Sequence, residues 1–184
     1  MTAFDTGPGN MVIDQLARKG GTELDRDGAA AARGRVDRSA LAKALAHPYF
    51  ARGGPKSTGR EEFGAPFAQQ LLGDVRAGGG ALDDAIATAT ALTVETVGRA
   101  LDDGPWREIL VAGGGARNAT LVGWLRERTR LPMRLTDELG IAAEAREAVA
   151  FAILGAFRMR DEPNTLPACT GASRAVSAGA VHRP

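Results

Sequence analysis

The stretch Glu108-Ile-Leu-Val-Ala-Gly-Gly-Gly-Ala-Arg-Asn118 decides the fold class. Glu108 to Ala112 is a short apolar run bounded by glycine, which reads as a buried β-strand. Gly113, Gly114 and Gly115 follow at once, and a helical pattern then runs through Arg128. Pro132-Met-Arg-Leu-Thr136 reads as a second strand. Helix, strand, helix and strand joined by short connections indicate an α/β fold. The glycine cluster lacks the lysine and Ser/Thr of a Walker loop. It comes closer to a dinucleotide fingerprint, with Gly113-x-Gly115 followed by Asp137 after the next strand, near the expected separation of ~20 residues. The third fingerprint position should be small, and here it is Asn118. Three consecutive glycines suggest instead that something flat or bulky rests on the backbone, with Asn118 capping the helix. A bare packing turn is the plain alternative.

A second glycine-rich turn, "FDTGPGN" (4–10), precedes a helical pattern from Asn10 to Ala17 that Gly20-Gly21 ends. Asp5-Thr6-Gly7 also spells the nucleophile-activating turn of an aspartic protease. That chemistry needs two carboxylates sharing one proton, and Asp-Thr-Gly occurs once here. A helix pattern behind the turn also disagrees with the strands such a site needs. A phosphate-binding turn fits better: Gly7 and Gly9 allow close backbone approach, and the amides at the helix start point at an anion. Asp5 would then hold a metal ion, directly or through water, that neutralises the phosphates. Taken alone, a tight turn capped by Asp5 is the simpler reading.

The rest of the 184-residue chain bounds the function classes. Apolar residues make up 44% and charged residues 24%, as in ordinary globular proteins. A net charge of +1 gives no electrostatic argument for nucleic acid or an acidic membrane surface. Cys169 is the one cysteine, which excludes an intramolecular disulfide framework and a multi-cysteine metal site. No apolar run is long enough to span a bilayer, and the chain reads as cytosolic. Further helices are expected around Asp27 to Arg33 and at Ser39 to Ala46, with Ser39 as cap and His47-Pro48 as stop. "GGPKSTGREEF" (53–63) reads as a polar loop whose Lys56 and Arg60 suit an anionic ligand. Leu82, Ile86, Ala89, Thr93, Val97 and Leu101 mark one buried face of a helix of about five turns. Glu144 to Arg158 is apolar nearly all round, which predicts a helix inside the protein, with Glu147 facing a cleft or paired with a base such as Arg146. A last strand is expected near Ala175 to Val181, and Trp106, Trp124, Phe63, Phe67 and Phe151 are expected in the core. His47 and His182 stand too far from other ligand types to suggest a metal.

Taken in order, "AFDTGPGNMVID", "DRDGAAAARG", "HPYF", "PKSTGREEF", "ILVAGGGARN", "LTDELGI", "EAREAVAFAIL" and "LPACTGASRAV" resemble the anhydro-N-acetylmuramic acid kinases of bacterial cell-wall recycling. Single motifs are weak, whereas eight in order with consistent spacing are specific. The resemblance implies a two-lobed actin-like fold shared with sugar kinases and heat-shock ATPases. It implies that residues 1–184 are the C-terminal, nucleotide-binding lobe alone, without the first phosphate loop and the general-base aspartate of the other lobe. It implies ATP and Mg2+ as cofactors, an amino sugar as substrate, and N-acetylmuramic acid 6-phosphate as product. A homodimer is compatible with it. By the same resemblance Asp5, Thr6, Gly7 and Gly9 serve the ATP phosphates and metal, and Gly113, Gly114, Gly115 and Asn118 support adenosine. Glu147, Lys56 and Arg60 line the interlobe cleft. "GIAAEAREA" departs from the family's usual Asp and Lys here, with Glu144 and Arg146 keeping the charges. The rival readings are a nucleotide-binding module without catalysis and a dinucleotide-dependent enzyme built on Gly113 and Asp137. In every version the chain alone is expected to lack kinase activity.

Overall fold

The computed structural model describes residues 2–102, 104–142 and 145–182. Its helices are α1 (Met11–Lys19), α2 (Ala29–Arg33), α3 (Arg38–Leu45), α4 (Arg60–Phe63), α5 (Ala65–Ala77), α6 (Leu82–Leu101), α7 (Ala119–Thr129), α8 (Arg146–Met159) and α9 (Pro167–Thr170). Strands β1 (Ile109–Val111) and β2 (Met133–Leu135) pair in parallel, with Leu110 opposite Arg134. The fold is therefore α/β, mostly helical, with α7 as the crossover between its two strands.

The core sits around α6. Residues Ala85 to Val94 of this helix are all buried, so it is covered on every side there and not along one face as its spacing predicts. Small side chains make this possible, because Ala85, Ala87 and Ala89 let α1, α2 and α3 approach closely. The threonines between them are satisfied locally: Thr88 Oγ1 donates to the Asp84 carbonyl at 2.7 Å and Thr90 Oγ1 to that of Ile86 at 2.9 Å. A buried hydroxyl thus costs little, since its partner lies one turn back in the same helix. Tyr49 and Phe63 are fully buried at the other end of the core. Their rings meet edge to face with centroids 5.4 Å apart, and Phe63 meets Phe67 in the same way at 5.0 Å.

Several expectations need correction. The α3 cap is Asp37, whose carboxylate accepts from the Ser39 and Ala40 amides at 2.9 Å each; Ser39 lies inside the helix. The loop at 53–63 ends in α4, because Phe63 must reach the core. Helix α5 has no counterpart in the sequence reading, although Ala68, Leu71, Leu72 and Val75 follow the helical interval and are buried. Strand β1 is only half-buried, with Leu110 47% exposed, since the sheet has two strands among the described residues. Trp106 is likewise exposed.

Helix α8 departs most. It has no buried residue, and Phe151 is 72% exposed. Its apolar sequence is what a buried helix needs, but no partner within the described residues covers it. Residues 175–181 form no strand. Their backbone is held by side chains instead: Asn164 bonds the Ala178 amide and carbonyl, and Arg158 Nε donates to the Gly179 carbonyl at 2.9 Å. Glu144 lies outside the described residues.

Candidate functional site

The two glycine-rich turns converge. Gly113 is held at φ 79°, and a short 3-10 turn, Gly114–Arg117, leads to Asn118. Asn118 is 6% exposed, and its Oδ1 accepts from the Leu121 amide at 2.8 Å, so it caps α7 as its sequence position predicts. A Cβ on Gly115 would lie 3.4 Å from Oδ1 of Asn10, the last residue of the first turn. A Cβ on Gly114 would meet only Asn10 Nδ2, at 3.9 Å. Gly114 therefore faces open space, the floor of a cleft of about 260 Å3.

The opposite wall of this cleft comes from the "DRDG" segment and the first turn of α1. Asp25 accepts from the Ala30 and Ala31 amides at 2.8 and 3.1 Å, which neutralises the start of α2. Asp27 (φ 56°) and Gly28 (φ 75°) are both left-handed, and this reverses the chain so that Asp27 lines the cleft. Asp14 lines it from α1. Burial pushes the Asp14 carboxyl above the usual carboxylate range; Arg18 opposes this and Asp25 adds to it. Gly114 and Asn118 thus both line this cleft. The sequence reading gave no site role to Asn10, Asp14 or Asp27. The Asp-Gly pair at 27–28, a turn signal inside a helical pattern, marks this wall.

The first turn is fastened from three sides. Asp5 Oδ2 accepts from Ser57 Oγ at 2.9 Å and from the Thr58 amide at 3.0 Å. The Asp5 amide donates to the Lys56 carbonyl, and Tyr49 Oη donates to the Asp5 carbonyl at 2.6 Å. Asp5 is therefore a tie to the 56–58 loop and does not cap α1. Both of its carboxylate bonds use Oδ2. Gly7 is required by close packing, because a Cβ would lie 2.9 Å from Thr96 Oγ1 and 3.1 Å from the Phe50 ring. Gly9 is left-handed at φ 54°, and its carbonyl accepts from Thr93 Oγ1 at 2.8 Å. Thr6 borders a small cavity with Lys56 and Arg99.

Lys56 is committed to the same framework. Its ammonium donates to the Tyr49 and Arg52 carbonyls and lies 4.6 Å from the Tyr49 ring centroid. Arg60 is exposed at the start of α4. Asp5, Lys56 and Ser57 share a larger cavity, about 470 Å3, with Cys169 and Thr170. Glu147 lines none of these cavities; it is exposed on α8 and 3.6 Å from Arg146. Among the described residues no cluster of three His, Cys, Asp or Glu side chains could hold a metal ion. Asp5 is the one carboxylate of the 4–10 turn, and Mg2+ bound with a phosphate ligand needs only one or two carboxylates. Among the described residues no helix is long and apolar enough to cross a membrane.

Comparison with known proteins identifies a family. A family model for anhydro-N-acetylmuramic acid kinase matches residues 1–184. The anhydro-N-acetylmuramic acid kinase of Gloeobacter violaceus is 45% identical over 191 residues, covering 98% of this chain and 48% of that protein. Those of Salinibacter ruber and Streptomyces coelicolor are 41% and 40% identical, covering 99% and 97% of this chain. The chain spans about half the length of the curated relatives it matches. With the family model spanning every residue and both glycine turns meeting at one cleft, the chain belongs to the anhydro-N-acetylmuramic acid kinase family.

Proposed function

We propose that this chain is the C-terminal, nucleotide-binding lobe of an actin-like kinase. The whole enzyme would use ATP and water to open the 1,6-anhydro ring of anhydro-N-acetylmuramic acid, giving N-acetylmuramic acid 6-phosphate in cytoplasmic cell-wall recycling. The observation that carries this reading is the approach of Asn10 to Gly115, which joins both glycine turns at a cleft floored by Gly114. Asp14, Asp25 and Asp27 line that cleft together with Arg26 and Arg117, a mixed lining with no surplus of positive charge for a polyphosphate. The uncharged nucleoside end therefore belongs in it, and the phosphates belong beside Thr6, Gly7 and Gly9.

Asp5 orients the Lys56–Thr58 loop through Oδ2, and its other oxygen would be the one available to a phosphate-borne metal. Mg2+, when bound with the phosphates, would supply charge neutralisation as the phosphoryl group is transferred. Lys56 acts by holding its loop, with Arg60 available to an anionic substrate group at the rim. The apolar face of α8, and Glu147 with it, would be completed by the other lobe, which also carries the general base. A homodimer is compatible with this reading.

The test is calorimetric titration of the 184-residue chain with ATP and with NAD, alongside a turnover assay with the anhydro sugar. Binding of ATP and not NAD, with turnover only when the preceding half is supplied, supports the reading. Binding of NAD without ATP contradicts it, as does turnover by this chain alone.

A further inference from the structure

The two walls of the cleft are joined at one point. Thr120 Oγ1, on the first turn of α7, donates to the Gly28 carbonyl at 2.8 Å. Gly28 also lies so close to α7 that a Cβ on it would sit 2.2 Å from Asn118 Oδ1 and 2.6 Å from Thr120 Cβ. Gly28 is buried and left-handed, so no other residue satisfies both the backbone and the space. Asn118 meanwhile spends its Oδ1 on the α7 cap. One hydroxyl and one missing side chain thus fix the "DRDG" turn against the turn that carries Gly114.

We propose that Gly28, Asn118 and Thr120 form a clasp that sets the width of the nucleotide cleft, and that Thr120 is a positioning residue for the nucleoside. This rests on the reading that the cleft takes ATP. The clasp fixes where Asp27 stands, because Asp27, itself left-handed at φ 56°, immediately precedes the clasped residue. Asp14 faces the same space from α1. Neither carboxylate has a hydrogen-bond partner for its side chain among the described residues, and both are acceptors suited to sugar hydroxyls. A cleft of fixed width holds them at hydrogen-bond distance from a ribose, whereas a loosened one lets the sugar slip. A site built to bond a hydroxyl rejects the analogue that lacks it.

The experiment compares ATP with 2′-deoxy-ATP, titrated calorimetrically into the chain and into Thr120→Val, Thr120→Ser and Gly28→Ala. The wild-type chain is expected to prefer ATP by roughly tenfold, the discrimination of one hydrogen bond to a charged group. Thr120→Val keeps the shape and removes the donor, so the preference should fall towards parity while thermal melting shifts little. Thr120→Ser should restore it, and Gly28→Ala should lose it. Hydrogen exchange supplies a second readout: the amides of residues 26–28 should open in Thr120→Val while those of α6 stay protected. Equal wild-type affinities, or an unchanged preference with unchanged exchange in Thr120→Val, overturn the clasp and leave the nucleotide reading standing. Failure of the wild-type chain to bind either nucleotide overturns both.

Discussion

Helices α6 and α8 carry similarly apolar sequences and meet opposite fates. From Ala85 to Val94, α6 is buried on all sides, and its threonines bond carbonyls of its own or the neighbouring turn. Helix α8 exposes Phe151, Ile153 and Met159, and contacts chiefly the chain that follows it. The difference lies in what surrounds each helix. Alanine and threonine on α6 let α1, α2 and α3 come close, so many partners share its surface. On α8 the large apolar side chains Phe151, Ile153 and Met159 stay exposed. Exposed apolar area of this kind marks an interaction face.

The sharpest way to break this comparison is to cut the same ring from each region. Phe63→Ala should cost about 3–5 kcal/mol, the loss expected for a fully buried aromatic. Phe151→Ala should change stability by no more than about 0.5 kcal/mol. Urea unfolding of both variants measures the contrast. A large loss for Phe151→Ala would mean that α8 is packed in solution.

Glycines repeat the contrast at smaller scale. At Gly34 an added Cβ would fall 2.1 Å from the Asp83 carbonyl oxygen, where α2 meets the start of α6. Gly34→Ala should therefore lose about 1–3 kcal/mol by overpacking. Gly155 on α8 has nothing within 4 Å of such a Cβ, and Gly155→Ala should gain about 0.5–1 kcal/mol from helix propensity. Thermal melting of the two variants separates the signs.

Much of this was legible beforehand, for local reasons. The strand, glycine turn, Asn118 cap and helix at 109–129 follow from patterns within a few residues. What escaped depends on contacts distant in sequence. Asp37 displaced Ser39 as the α3 cap, an exchange sequence spacing alone does not resolve. The burial of α8 was expected because its composition fits a core, yet burial requires a partner. The tie between Asp5 and Ser57 spans 52 positions and leaves no local signal, and the same holds for Thr120 and Gly28 across 92.

The smallest expected effects are electrostatic, and two carboxylates should act in opposite directions. Bonds from the Ala81 and Arg35 amides hold the Asp84 carboxyl below its usual range. Its stabilisation is present above the unfolded value, near 3.8, and is lost as pH falls through the lower folded value. Asp14 is raised, chiefly by burial, so its contribution is present below the unfolded value and lost as pH rises through the folded one. Stability measured against pH should lose its acid-side fall in Asp84→Asn. In Asp14→Asn it should be higher relative to wild type at neutral pH than at acid pH. An unchanged profile in both variants would contradict the assigned environments.

The central claim is that the Gly114 cleft holds the nucleoside of ATP. Gly114→Val places a side chain into space where an added Cβ meets only Asn10 Nδ2, so the fold should accept it. Calorimetric titration with ATP, paired with urea unfolding of the same preparation, is the direct measurement. The account predicts that the variant loses ATP binding, weakened at least about a hundredfold, while its stability stays within about 0.5 kcal/mol of wild type. Retained ATP affinity, with or without a loss of stability, would contradict it and leave the glycine cluster as a packing turn.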